Sequence, residues 1–172
     1  ADARATIDFR TAEYCIEVLK NPPAEKPLFL ACGLFKPHSP FFAPPRYHQG
    51  VAGILPPVRR SDDWKDLPAG AKSLLGNKKW FWEGMMTLDR RVPNSFTDFL
   101  QAHAACCSLS DAQIGRVLAS LVARPPRAET TVVLRSDHAF HPGDQNHLET
   151  FSLCEISPPL PFLTVSPGWA PP

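Results

Sequence analysis

The sequence lacks the patterns that mark several large classes of protein. No apolar run approaches the roughly 20 residues that a membrane-spanning helix needs, and the longest run, residues 27–35, has only the length of a strand. The 18 basic side chains nearly balance the 17 acidic ones. We therefore expect neither nucleic acid nor an anionic membrane as a partner. Nothing in the sequence indicates an oligomeric state.

Common catalytic signatures are missing too. The sequence contains no P-loop, no G-x-G-x-x-G and no G-x-S-x-G elbow, although its composition does not exclude a Ser-His-Asp triad. The cysteines show no C-x-x-C spacing and mostly fall in helical patterns, so we predict buried thiols and leave the compartment open. They are Cys15, Cys32, Cys106, Cys107 and Cys154.

Proline, in contrast, is abundant, with 20 residues that often stand in pairs between the periodic segments. Because proline cannot donate a backbone hydrogen bond, these pairs mark connections, and we predict long, stiffened loops. The length suits one domain spanning residues 1–172. The sequence does not begin with Met, shows no signal-peptide pattern and opens in a helical pattern. We therefore expect a fragment of a longer protein.

Hydrophobic periodicity predicts two main helices, at residues 3–20 and 95–122, with Asp8 on the polar face of the first. Short apolar runs predict strands at residues 28–32, 131–134 and 160–165. The order of these elements predicts an α/β fold with a mainly parallel sheet and long Pro-rich loops. We expect the aromatic residues at 79–82 to pack a loop onto the core.

Polar side chains follow two of the predicted strands. Lys36 and His38 come after the first, and Asp137 and His138 come after the second. The carboxyl ends of parallel strands meet at one edge of a sheet, so we expect these side chains to share a site. A carboxylate oxygen and an imidazole nitrogen suit a divalent cation, which needs about six ligands in all.

A zinc site is a weaker interpretation of the same region. His138 and His141 have an H-x-x-H spacing, and His147 lies close behind. Zinc proteases place two such histidines on one helix with a Glu between them. Here Pro142 and Gly143 break the helix and no Glu intervenes. The sequence therefore disfavours zinc.

Four segments, in order, resemble the sulfatase family and most of all its iduronate 2-sulfatase-like branch. Residues 27–41 resemble the strand and K-P-H-x-P-F loop, and residues 105–118 resemble a helix with a D-A-Q-x-G-R core. Residues 131–138 resemble the strand that leads into S-D-H-G, and residues 161–168 resemble the strand that follows. The resemblance extends over nearly the whole chain.

This resemblance implies an alkaline-phosphatase-like α/β/α fold, incomplete here, that hydrolyses sulfate esters such as sulfated carbohydrates. It implies a calcium ion with Asp137 and His138 among its ligands, and a substrate sulfate facing His38 with Lys36 beside it. The nucleophile of such enzymes is a Cys oxidised to formylglycine in a C-x-P-x-R motif. Family analogy also implies a lysosomal, secreted or periplasmic location.

The chain departs from the family pattern at several positions. No Cys or Ser is followed by x-P-x-R, so no residue here is assigned as nucleophile and formylglycine cannot form. The family's upstream calcium carboxylates are absent, Ala139 replaces the Gly after Asp-His, and Thr150 stands where the family has a sulfate-binding Lys. We predict that residues 1–172 alone have no turnover.

Two alternatives remain open. The first is a catalytically dead, sulfatase-like binding or structural module, which the missing nucleophile and Thr150 favour. The second is a related metal-dependent phosphatase or phosphodiesterase, against which the K-P-H loop and the D-A-Q helix argue.

Overall fold

The computed structural model describes residues 4, 6–23, 25–56, 65, 67–76, 79–123, 130–143, 146–150 and 161–167. Its helices are α1 (Ile7–Lys20), α2 (Pro45–Gln49), α3 (Ala69–Gly76), α4 (Lys79–Arg91) and α5 (Ser95–Val122). Its strands are β1 (Val132–Arg135), β2 (His141–Pro142), β3 (Leu148–Glu149) and β4 (Phe162–Val165). None of the helices in these ranges is long and apolar enough to cross a membrane.

The chain divides into two compact units. The first comprises Ala1–Ile54, Gln101–Thr130 and Ala170–Pro172, and the second comprises Leu55–Leu100 and Thr131–Trp169. Each unit has its own buried side chains, which are described separately below. That residues 1–172 form one domain stays a prediction.

Helix α1 of the first unit begins and ends with local hydrogen bonds. The Thr6 hydroxyl accepts the backbone N–H of Phe9 at 3.2 Å, which caps the amino terminus. The backbone N–H of Asn21 donates to the Glu17 carbonyl and closes the other end. Its buried residues recur at helical spacing and form one stripe along the helix. They are Asp8, Ala12, Cys15 and Leu19.

The predicted bounds of the second long helix are confirmed by α5. Within the first unit, its buried side chains include Ala105, Cys106 and Leu109. Gln113 on the same helix is polar, yet it is only 1% exposed. Its amide donates to the Leu109 carbonyl at 3.3 Å and accepts from Arg116 at 2.8 Å, so both polar ends of a buried side chain are satisfied.

The prediction of a buried strand at residues 28–32 is wrong. These residues belong to no helix or strand, and Phe29 is 94% exposed. A strand is defined by hydrogen bonds to a neighbouring strand, and the described part of the first unit contains no strand that could pair with it.

The prediction of a mainly parallel sheet is also wrong for the described strands, because both of their pairs are antiparallel. In the second unit, β1 pairs with β4 in a register that places Val132 opposite Val165 and Arg135 opposite Phe162. The N–H of Ser136 continues the ladder to the Pro161 carbonyl at 3.2 Å. Apolar runs predicted both strands, but they carry no information about strand direction.

An aromatic cluster forms the core of the second unit. It contains Trp82, Met86, Phe96, Leu100 and Leu148, with Phe81, Met85 and Phe99 packed against it. The ring of Trp82 meets that of Phe96 edge to face, with centroids 5.7 Å apart. The expected packing of residues 79–82 onto the core is confirmed for Trp82, but on helix α4 and not on a loop, and Trp80 is 64% exposed.

Gly143 follows β2 of the small β2–β3 hairpin and lies against this core. Its φ is +114°, a conformation that side chains with a Cβ rarely adopt. An added Cβ would lie 2.7 Å from Cζ of Phe96. The hairpin therefore packs directly on the aromatic cluster because this residue has no side chain.

Candidate functional site

The loop that carries Lys36 is held by two side chains from helices of the first unit. Asp8 is 1% exposed, and its carboxylate accepts the backbone N–H groups of Phe35 at 2.7 Å and Lys36 at 3.0 Å. The hydroxyl of Ser110 on α5 donates to the Lys36 carbonyl at 2.8 Å. Three hydrogen bonds thus fix the peptide groups on both sides of Lys36.

The Lys36 ammonium makes its hydrogen bonds within its own loop. It donates to the His38 carbonyl at 3.1 Å and to the Pro40 carbonyl, and it lies 5.3 Å from the centre of the Phe35 ring. The peptide bonds before Pro37 and Pro40 are both cis. An ammonium has three N–H donors, so two of them organise the loop.

His38 is exposed on this loop. Its Nδ1 lies 2.6 Å from the Ser39 carbonyl oxygen, and its ring centroid lies 4.9 Å from that of Phe35. Because a carbonyl oxygen can only accept, Nδ1 carries a proton. Nε2 has no hydrogen-bond partner among the described residues, and it donates an N–H only when the ring is an imidazolium. In that form, His38 presents a positively charged donor to an anion.

In the second unit, Asp137 and His138 follow β1 after one residue, Ser136. Their side chains are 82% and 53% exposed, and Oδ2 of Asp137 lies 3.8 Å from Nε2 of His138. Oδ1 of Asp137 accepts the backbone N–H of His138 at 3.0 Å, and Nδ1 of His138 lies 3.2 Å from the Ala139 carbonyl. The Ser136 hydroxyl donates to the His138 carbonyl at 2.6 Å. These contacts all lie within four consecutive residues.

Oδ2 of Asp137 and Nε2 of His138 are close enough to bind the same cation. Two ligands about 2.4 Å from a calcium ion and at right angles to each other are about 3.4 Å apart, close to the 3.8 Å observed. Hydrogen bonds from the backbone N–H groups of Asp137 and His138, aided by the His138 ring, lower the pKa of Asp137. A carboxyl group must be ionised to bind a metal ion, and the lowered pKa favours the ionised form of Asp137.

Two ligands do not complete a calcium site. Among the described residues, no group of three or more His, Cys, Asp or Glu side chains could hold a metal ion. The Asp137–His138 pair therefore requires further ligands.

The other two histidines of the region are buried in the β2–β3 hairpin and contact its backbone. His141 and His147 are at most 1% exposed, and their rings meet edge to face with centroids 5.3 Å apart. Nδ1 of His141 lies 3.3 Å from the His147 carbonyl, and Nε2 of His147 lies 3.2 Å from the Thr150 carbonyl. Both rings thus contact backbone carbonyls in the core, whereas His138 is exposed.

The structure brings together the members of each predicted pair. Lys36 and His38 lie on one loop of the first unit, and Asp137 and His138 lie side by side in the second. That the two pairs share one site stays a prediction, as do their roles in binding substrate and metal.

Sequence reasoning missed the two side chains that hold the Lys36 loop. Asp8 was placed on the polar face of α1, yet it occupies one position of the buried stripe with Ala12 and Cys15. A carboxylate at helical spacing with apolar residues was the available signal. Ser110 gave no comparable signal, because a serine beside the apolar Leu109 is ordinary in a helix.

The prediction of buried thiols is confirmed for Cys15 and Cys106 and wrong for Cys32 and Cys107, which are exposed. Adjacent residues on a helix point about 100° apart. Ala105 and Cys106 are both buried, and Cys107 lies about 200° from Ala105, beyond the buried face. Cys154 lies outside the described residues.

Comparisons with known proteins all identify relatives in one family. The family model described as Sulfatase matches residues 5–168. A sulfatase of Formosa agariphila is 28% identical in an alignment of 155 positions that covers 86% of this chain and 29% of that protein. Human iduronate 2-sulfatase is 26% identical in an alignment of 181 positions that covers 94% of this chain and 30% of the relative. The chain thus spans under a third of the length of these relatives.

A solved structure has a similar fold. It is yidJ from Bacteroides fragilis, which is described as a candidate sulfatase. The match covers 93% of this chain and 30% of the other, with a TM-score of 0.58 and 19% sequence identity. At this identity the likeness concerns the fold alone.

Proposed function

The chain belongs to the sulfatase family, and on that premise we propose that it forms part of a calcium-dependent sulfuric ester hydrolase. The complete domain has an alkaline-phosphatase-like α/β/α fold, of which residues 1–172 are a portion. Its substrate is a sulfated sugar or a related sulfate ester, which the similarity to iduronate 2-sulfatase supports.

The Lys36–Pro40 loop binds the sulfate group. One observation carries this proposal: Asp8 and Ser110 fix the loop from behind while His38 is exposed. A loop that is ordered before binding loses less entropy when an anion arrives. The N–H on Nε2 of protonated His38 donates to a sulfate oxygen, and the Lys36 ammonium adds positive charge beside it.

Asp137 and His138 supply two ligands to calcium. When bound, the ion offsets negative charge on the sulfate oxygens. The ionised Asp137 carboxylate gives an oxygen ligand, and Nε2 of His138 gives a nitrogen ligand. The contact of Nδ1 with the Ala139 carbonyl keeps the proton on Nδ1 and leaves Nε2 as the donor atom.

The isolated chain does not turn over substrate, because its sequence contains no C-x-P-x-R. A sulfatase-like module that binds but does not hydrolyse is the second candidate. It is favoured by Thr150, a neutral residue where the family has a sulfate-binding Lys.

The experiment begins with the complete reading frame around residues 1–172. If it encodes C-x-P-x-R, its product should hydrolyse an aryl sulfate when calcium is present, and residues 1–172 alone should not. His38→Ala and Asp137→Asn should each lower kcat/KM by about 10²–10³, the size of losing one charged contact to the transition state. His48→Ala changes a histidine on α2 outside the loop and should leave the rate unchanged.

Equal rates for the parent protein and His38→Ala would contradict the role of the loop. A reading frame without C-x-P-x-R would exclude the hydrolase and favour the binding module. That module should still bind sulfate through His38, and His38→Ala should weaken the binding.

A further inference from the structure

Helix α5 carries a thiol and an imidazole that face each other on adjacent turns. Sγ of Cys107 lies 3.9 Å from Nδ1 of His103, which comes four residues earlier. Residues at this spacing are neighbours on one side of a helix. A contact of this length is at most a weak hydrogen bond. The pair therefore brings a sulfur and a nitrogen atom together without a strong bond between them.

The two side chains differ in their surroundings. The ring of His103 meets that of Phe41 edge to face, with centroids 5.1 Å apart. Phe41 directly follows the Lys36–Pro40 loop. Cys107, in contrast, is exposed. One of the two groups is thus oriented by packing, and the other can be reached by an ion from solution.

We propose that His103 and Cys107 bind one divalent cation of the zinc type, with water molecules in the remaining positions of its coordination shell. A thiolate sulfur and a neutral imidazole nitrogen are ligands that zinc prefers, whereas calcium prefers oxygen. The site lies on α5 of the first unit and shares no residue with the Asp137–His138 pair. This inference is therefore independent of the proposed hydrolase.

The separation of the two atoms suits zinc. Zinc lies about 2.3 Å from sulfur and about 2.0 Å from nitrogen, so two such ligands are about 3.5 Å apart at the tetrahedral angle and about 4.3 Å apart when they stand opposite each other. The 3.9 Å between Sγ and Nδ1 falls within this range. Among the described residues, no third His, Cys, Asp or Glu joins the pair. Because Cys107 is exposed, water can complete the shell.

Binding of the metal should release the thiol proton. Partial desolvation raises the pKa of Cys107, and burial lowers the pKa of His103, so near neutral pH the thiol is protonated and the imidazole is neutral. The S–H bond breaks as the zinc–sulfur bond forms, and the proton passes to the buffer. Zinc binds Nδ1 in the tautomer whose proton is on Nε2. About one proton should leave per zinc ion, and the affinity should rise about tenfold for each unit by which pH exceeds neutrality.

The test titrates the 172-residue chain with zinc chloride by calorimetry near neutral pH. Two buffers with different heats of ionisation are compared, because the difference between the measured heats gives the number of protons released. We expect one site that releases about one proton. Cobalt(II) in place of zinc should show a sulfur-to-metal charge-transfer absorption band, and excess calcium should displace neither ion.

Matched variants assign the two ligands. Cys107→Ser alters an exposed side chain and should weaken zinc binding by about tenfold or more, with loss of the proton release and of the cobalt band. His103→Phe keeps a ring against Phe41 and should weaken zinc binding by a similar factor. Cys32→Ser removes another exposed thiol, and Asp137→Asn alters the predicted calcium pair. Both control variants should release the same number of protons as the parent chain.

Several results would overturn the proposal. The parent chain could fail to bind zinc or could bind it without releasing a proton. Cys107→Ser, or a folded His103→Phe, could bind zinc as tightly as the parent chain. The proton release could disappear in Cys32→Ser, which would place the thiolate ligand elsewhere. Far-ultraviolet circular dichroism checks the fold of each variant, and the Cys107→Ser comparison and the proton count decide even if His103→Phe does not fold.

Discussion

The two predicted binding regions are built in opposite ways. The Lys36–Pro40 loop is held by side chains that are distant in sequence, Asp8 on α1 and Ser110 on α5. The Asp137–His138 pair is exposed and makes its hydrogen bonds within residues 136–139. One region depends on tertiary structure for its shape, whereas the other depends on the four residues around it.

This difference suits two kinds of ligand. An anion that is recognised by N–H groups needs donors that are already in place. A cation gathers carboxylate and imidazole ligands from several segments, and each segment needs only a suitable local geometry. Substitutions behind the loop should therefore change stability and binding together, whereas substitutions at the pair should change binding alone.

The largest effect on stability is expected just beyond the Asp-His pair, at Gly143. In Gly143→Ala, the strained φ and a Cβ 2.7 Å from Phe96 and 3.1 Å from Trp82 should destabilise the chain by about 2–4 kcal/mol in urea unfolding. The result would show that the exposed pair is followed by a hairpin packed rigidly on the core.

Gly115→Ala is the matched control. Gly115 lies within α5, and outside the helix's own backbone no heavy atom of the described residues comes within 4 Å of an added Cβ. This substitution should stabilise the chain by about 0.5–1 kcal/mol, because Ala favours a helix over Gly. Similar losses from both substitutions would contradict the close approach at Gly143.

The next largest effect concerns the support behind the loop. Asp8→Asn replaces one accepting oxygen with an NH₂ group that faces a backbone N–H, so a buried donor loses its partner. We expect a loss of about 2–3 kcal/mol and faster hydrogen exchange at the amides of Phe35 and Lys36. Urea unfolding and exchange measured by NMR provide the two readouts.

Asp98→Asn is the control for this change. Asp98 is an exposed acidic residue in the first turn of α5, so both variants lose a charge near a helix amino terminus. The control should cost less than about 0.5 kcal/mol. Equal effects at Asp8 and Asp98 would mean that Asp8 acts through the helix dipole and not by holding the loop.

The smallest effect on stability is expected at Asp137. Asp137→Asn should change the free energy of unfolding by less than about 0.5 kcal/mol, because the side chain is exposed. A lowered pKa makes a carboxylate stabilise the fold above its ordinary pKa and lose that effect as pH falls through the folded value. Solvent screens this contribution here, so acid unfolding of the variant should match that of the parent.

Calcium affinity, in contrast, should fall at least tenfold in Asp137→Asn, measured by titration calorimetry on the product of the complete reading frame. Unchanged affinity would remove Asp137 from the metal site. A large loss of stability would contradict the distinction between the two regions.

Sequence patterns were most informative for the helices. The spacing of apolar residues predicted α5 at its observed bounds and α1 with its observed end at Lys20, although the predicted start was about four residues too early. The short strands β1 and β4 were also predicted within about two residues of their observed positions, which is the usual precision of element ends. Regular hydrophobic spacing is a local property, and it can be read without knowing the fold.

The site and the sheet could be predicted only in part. The positions of His38 and Asp137 after apolar runs were visible, and the spacing of Asp8 with Ala12 and Cys15 was a signal of burial. What that spacing could not reveal is the loop whose N–H groups the buried carboxylate accepts. Pairing of residues 28–32 likewise depends on a neighbouring strand, which a run of apolar side chains cannot reveal.

The most direct test of the two predicted binding regions is a crystal structure of the complete reading-frame product with calcium and sulfate. We predict anomalous calcium density within about 2.3–2.6 Å of an Asp137 carboxylate oxygen, and a sulfate that accepts a hydrogen bond from Nε2 of His38. Calcium bound away from Asp137, or a sulfate that does not contact His38, would contradict the account.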